Sequence, residues 1–261
     1  MKYVAIAIAV LLLVGCSSVK QKEKEVDKLS EARAHFNLGL RMLNNGEFAE
    51  ALKELQKAEV ELKDNPYLIN AKGMCFRGLG QVKQAEDQFQ RVLRIEPGFF
   101  EAQFNLGLLY AAQQDFEKAK KCFIEVRKYK SFNRQDRVHY ALGLIFYQEG
   151  KKELAATEFK KAILENPNFL RPYLQLGLLY REMGDNGRAL EILERALKID
   201  ADVPEILYNI GLVYEGKQDA KNALAYYQSA LRSRQCSEEL ARIVRKRMIQ
   251  LTGNDDILLE E

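Results

Sequence analysis

The side chains able to do chemistry are few and scattered. The two histidines, His35 and His139, each stand four residues before a glycine, and neither has a cysteine or carboxylate at ligand spacing. Both read as packing residues. Cys75, Cys122 and Cys236 lie far apart with no C-x-x-C pattern, so they read as isolated, packed thiols. The G-x-S-x-G, H-E-x-x-H and P-loop signatures are absent, and the acidic residues are spread along the chain. These features exclude the common catalytic constellations and imply neither a metal nor a cofactor. With 40 Lys+Arg against 37 Asp+Glu, the net charge of +3 gives no nucleic-acid footprint.

Cys16 is the exception. It follows an apolar run, Val4 to Val14, of 11 residues with Lys2 ahead of it. A bilayer span needs about 20 apolar residues, so this run suits a signal-peptide core instead. It ends Leu13-Val14-Gly15-Cys16-Ser17, which resembles the lipobox of bacterial lipoproteins. That resemblance implies that residues 1–15 are removed and Cys16 is lipidated, anchoring the chain in a membrane. Ser17 stands where Asp would suggest retention in the inner membrane, which favours the periplasmic face of the outer membrane. Residues 16–28 are polar and charged and are expected to form a flexible tether.

The element that would position everything else is a repeat. Gly39, Gly73, Gly107, Gly143, Gly177 and Gly211 follow at spacings of 34, 34, 36, 34 and 34. Each has an alanine 12 residues later: Ala51, Ala85, Ala119, Ala155, Ala189 and Ala223. A large residue follows each glycine by 16 (Leu55, Phe89, Phe123, Phe159, Leu193, Tyr227). In every unit two apolar stripes at helical spacing flank a short turn, which holds Gly46, Gly80, Gly150 or Gly184 in four of the six. Pro66, Pro97, Pro167 and Pro204 close several units. Gly and Ala are read as letting paired helices approach closely. This 34-residue helix-turn-helix resembles the tetratricopeptide repeat. The resemblance implies an all-α, right-handed α-solenoid of six units over residues 29–236, at about 32–65, 66–99, 100–133, 136–169, 170–203 and 204–236. Two extra residues separate units three and four. The basic stretch Arg127 to Arg134 is either a longer loop or a lengthened helix, and either solvated or a contact patch. Ser237 as N-cap and the apolar face Leu240, Ile243, Val244, Met248 and Leu251 predict a capping helix over 237–252. Residues 253–261 are expected to be a mobile tail.

In this repeat family the first helix of each pair lines a concave groove. The resemblance places there Leu40, Met74, Leu108, Leu144, Leu178 and Leu212, each directly after its glycine, where polar residues are tolerated. Three residues before the glycine it adds Phe36, Phe104, Tyr140, Leu174 and Tyr208, and four after it Tyr147 and Arg181. Asn37, Asn105 and Asn209 could bond a ligand backbone. Two readings of the leucine stripe stand: core buried by tight curvature, or an apolar groove for a partner segment. The whole design resembles outer-membrane tetratricopeptide lipoproteins that act as pilotins for type IV pilus secretins. It thereby implies a non-enzymatic scaffold that helps a secretin subunit localise and multimerise. An adaptor for barrel assembly or peptidoglycan enzymes, or a self-associating structural protein, is the alternative.

Overall fold

A computed structural model describes residues 24–129 and 132–253. The expected leader 1–15, Cys16 and the tail 254–261 lie outside the described residues. Every regular element among the described residues is a helix. The chain divides into two units, Met1–Phe132 and Asn133–Glu261.

The first unit holds three helix pairs. They are α1 (24–44) with α2 (Phe48–Leu62), α3 (Pro66–Gly78) with α4 (Val82–Ile95), and α5 (Phe100–Ala112) with α6 (Phe116–Arg127). Residues 24–28 are already helical, so the tether reading does not extend to them. The second unit has α7 (Gln135–Gln148) with α8 (Lys152–Glu165), α9 (Leu170–Glu182) with α10 (Asn186–Ile199), and α11 (Pro204–Gly216) with α12 (Ala220–Arg232). A last helix, α13 (Glu238–Thr252), packs on α12.

The ends of these helices follow from local chemistry. Asn65, Asp115, Asp185, Asp219 and Ser237 each accept a hydrogen bond from a backbone N–H in the first turn of the helix they precede. Pro66 and Pro204 start helices where a missing N–H costs nothing. Turn glycines such as Gly150 (φ +74°) take the left-handed conformation between paired helices. The third and sixth turns have no glycine, and Gln114 and Gln218 are held there at φ +61°.

Inside each pair the helix glycine faces the large residue sixteen positions on. A Cβ on Gly143 would stand 2.6 Å from the Phe159 ring, and one on Gly107 would stand 2.7 Å from Phe123. The close approach therefore makes room for a large side chain lying across the first helix, an aromatic ring in four pairs and Leu55 or Leu193 in the other two. The alanines at offset 12 are fully buried beside it.

Between units three and four, α6 stops at Arg127, so the extra residues form a loop over the described positions. Tyr129 stacks on Phe100 (ring centroids 4.3 Å), and Phe132 is buried against Phe104 (5.7 Å). The loop is thus pinned to α5 by two aromatic rings rather than freely solvated.

Candidate protein-binding surface

All six residues that follow the helix glycines are half-buried: Leu40, Met74 and Leu108 in the first unit, Leu144, Leu178 and Leu212 in the second. Their immediate neighbours show what sets this. On α9, Leu176 and Leu179 are fully buried while Leu178 between them is not. Helical geometry turns successive side chains by about 100°, so one leucine points into the pair and the next lies on the helix's outer edge. In the first unit α3 packs beside α5, and in the second α9 packs beside α11. The half-buried residues of adjacent first helices therefore form a short row in each unit.

Around each row the expected residues divide. Phe36, Tyr140, Leu174 and Tyr208 are half-buried and rest against the core, whereas Phe104 is buried. Asn37 is exposed. Asn105 and Asn209 are buried and committed: Asn105 Nδ2 donates to Asn70 Oδ1 (3.0 Å), and Asn209 Nδ2 donates to the Glu205 carbonyl (2.7 Å). Asn70 in turn donates to Met74 Sδ (3.9 Å). The first of these bonds ties α5 to α3, so Asn105 acts as internal glue rather than as an open backbone reader.

The second unit adds a charged wall. The Tyr147 hydroxyl donates to Glu182 Oε1 (2.5 Å), which pushes its pKa up. Arg181, Glu182, Asn186, Leu212, Glu215 and Arg247 border an open depression of about 410 Å³. Arg247 of α13 grips Glu215 with two bonds, Nη2–Oε1 at 2.6 Å and Nε–Oε2 at 2.9 Å. The Tyr227 hydroxyl donates to the same carboxylate (2.7 Å), and burial with that hydrogen bond raises its pKa. Sequence reasoning missed Glu215 and Arg77, although both lie four residues after a repeat glycine, in register with Tyr147 and Arg181. Burial lowers the pKa of Arg77.

Both histidines are structural, and each has a carboxylate partner on the paired helix that spacing along the chain did not reveal. His35 Nδ1 meets Glu54 Oε2 at 2.6 Å, and His139 Nδ1 meets Glu158 Oε2 at 2.6 Å. Lys57 and Lys161 bind the second oxygens, at 2.7 and 2.8 Å. Burial raises the Glu158 carboxyl, but the bonds from His139 and Lys161 outweigh it and leave it below the ordinary value. Each trio pins the first helix of a pair to the second and offers no nucleophile to activate. The thiols of Cys75 and Cys122 are buried and pushed up to about 11, which suppresses thiolate reactivity. Among the described residues no group of three His, Cys, Asp or Glu could hold a metal, and no helix is long and apolar enough to cross a membrane.

Comparison with known proteins agrees with this architecture. Two family models, both described as tetratricopeptide repeat, match residues 70–119 with 174–237, and residues 136–169, together over half of the chain. The anaphase-promoting complex subunit 3 of Schizosaccharomyces pombe is 24% identical over 95% of this chain and 42% of its own length. The chain spans half or less of the length of this and other curated relatives it matches. Among solved structures, Pseudomonas aeruginosa PilF is similar with a TM-score of 0.70 at 20% identity, over 84% of this chain and 99% of its own. PilW, described as a widely conserved type IV pilus biogenesis factor, gives 0.71 at 15% identity, over 82% and 98%.

Proposed function

Because the chain belongs to the tetratricopeptide repeat family, we propose that it is a non-enzymatic protein-binding scaffold whose first-helix rows capture a segment of an envelope protein. The observation that carries this reading is the half-buried apolar residue that each repeat places after its glycine, three in the first unit and three in the second. Leu40, Met74, Leu144 and Leu212 rest one side against a core cluster and leave the other open, beside the fully buried Leu142, Leu176 and Ile210. Apolar side chains left part-open along a helix face are suited to an amphipathic or extended partner segment. Arg181 supplies a polar anchor at one end of the second row, beside the Glu215–Arg247 pair.

The finer reading is a pilotin-like lipoprotein: Cys16 carries the lipid, the outer membrane holds the anchor, and a type IV pilus secretin subunit is the partner. What supports it is the lipobox at Leu13 to Cys16 together with six repeats. PilF and PilW share the fold. Deletion of the gene tests it. Secretin extracted from the deletion strain should run as monomer where the parent strain gives heat-resistant multimers. Unchanged multimers would remove the pilotin role while leaving the scaffold reading standing.

A further inference from the structure

Away from the rows, the second unit carries a cleft of about 370 Å³ on the outer side of α8, α9 and α10. Its floor is aliphatic: Ile163 and Ile192 are buried, and Leu164 projects from the lip with 80% of its surface exposed. Its rim is cationic. Arg188 lies 4.6 Å over the Tyr180 ring, Lys160 lies 5.5 Å over the same ring, and Arg195 lies 5.6 Å over Tyr173. Arg188 also pairs with Asp185 at 2.5 Å. Glu191 is the one acidic residue of the lining.

The repeat supplies its own control. Arg91, eighteen residues after Gly73, is the counterpart of Arg195, eighteen after Gly177. Arg91 is fully engaged: it donates to Glu59 Oε1 (2.9 Å), to the Lys63 carbonyl and to Asp64 Oδ1 (3.5 Å). The counterparts of Glu59 and Asp64 beside Arg195 are Ile163 and Asn168. In the first unit the corresponding arginine is thus tied down by the protein's own carboxylates. In the second the cleft has an aliphatic floor and an arginine that has lost both acidic partners.

What would complete it is an acidic segment with aliphatic side chains. The chain contains one. Residues 255–261 read Asp-Asp-Ile-Leu-Leu-Glu-Glu, with four carboxylates around three aliphatics. They follow α13 of the same unit after Gly253. The four residues from Asn254 to Ile257 can span up to about 13 Å when extended, and the full segment to 261 about 26 Å. The apolar leader and residues 17–23, with two lysines against one glutamate, lack the acidic character a cationic rim selects. We propose that the α8–α10 cleft is the docking site of the chain's own segment 255–261, with Ile257 to Leu259 on the floor and the acidic flanks on Lys160, Arg188 and Arg195.

Full-length protein with Ile257, Leu258 and Leu259 all changed to Ser leaves the cleft open, and labelled peptide 254–261 reports on it by fluorescence anisotropy. This variant should bind the peptide, and more weakly as salt rises, because exposed ion pairs are screened. The unaltered protein should bind it about tenfold more weakly or worse, because the tethered copy competes at an effective concentration of about millimolar. Adding Arg195→Leu, or Leu164→Glu at the exposed lip, should abolish binding with the helical CD spectrum unchanged. The proposal is overturned if the serine variant does not bind, if both cleft variants bind as before, or if an unrelated acidic-aliphatic peptide binds equally well.

Discussion

Gln114 and Gln218 sit in the left-handed region that four other turns give to glycine. That conformation costs a residue with a Cβ about 1–2 kcal/mol, and glycine returns part of the gain as chain entropy. Gln114→Gly and Gln218→Gly should each stabilise the protein by about 0.5–1 kcal/mol in urea unfolding. The sequence marked these turns but not their strain, since nothing local distinguishes a glutamine at positive φ. The histidine–carboxylate bonds were hidden differently. His139 and Glu158 are 19 residues apart and meet only once α7 and α8 pair. The recurrence of His35, Glu54 and Lys57 at the same offsets as His139, Glu158 and Lys161 was a usable signal. Glu158 has a folded pKa below its ordinary 4.5. Its contribution is therefore whole above that value and is lost as pH falls through the lower folded one. Glu158→Gln should cost about 1–3 kcal/mol at neutral pH, and its stability should vary less with pH below about 4.5 than that of the parent. A parallel acid limb in parent and variant would show that Glu158 contributes nothing to acid unfolding, leaving Glu54 and Glu59, both also lowered, as the source.

At the scale of the helix pair, periodicity alone located every pair among the described residues, because glycine, alanine and a large residue recur at fixed offsets. The reason for the glycine needed coordinates. Spacing suggested that Gly and Ala merely let backbones approach. The structure shows an aromatic ring crossing the glycine, as Phe159 does at Gly143. Phe159 is 1% exposed and cannot swing aside. Gly143→Ala should therefore cost about 1–3 kcal/mol through overpacking. In a Phe159→Ala background the same change should cost much less, and a double-mutant cycle reads the difference as coupling. Additive costs would mean that the Cβ meets something other than the ring. The loop at 127–134 is the counterexample: its basic composition gave no sign that Phe132 would be buried, because one aromatic outweighs its charged neighbours once α5 offers a partner ring.

At the scale of the whole molecule the open question was whether the leucine stripe is core or surface. Sequence could not decide it, since a leucine fills either role and the answer depends on how far each first helix turns toward its neighbour. Half-burial at all six positions is what permits a clean test. Leu144→Glu with Leu178→Glu places two carboxylates where solvent already reaches, so the helices should form and the thermal midpoint should shift little. Leu176→Glu, two residues from Leu178 but fully buried, would bury a charge with no partner and should unfold the second unit. If the row binds a partner, each of the two surface changes should remove about 2 kcal/mol or more of binding, as central apolar contacts do. Capture of the partner should then vanish in pull-downs from cells while folding persists. Should the double variant unfold like Leu176→Glu, the row belongs to the core, and the binding surface must be sought on the outer helices instead.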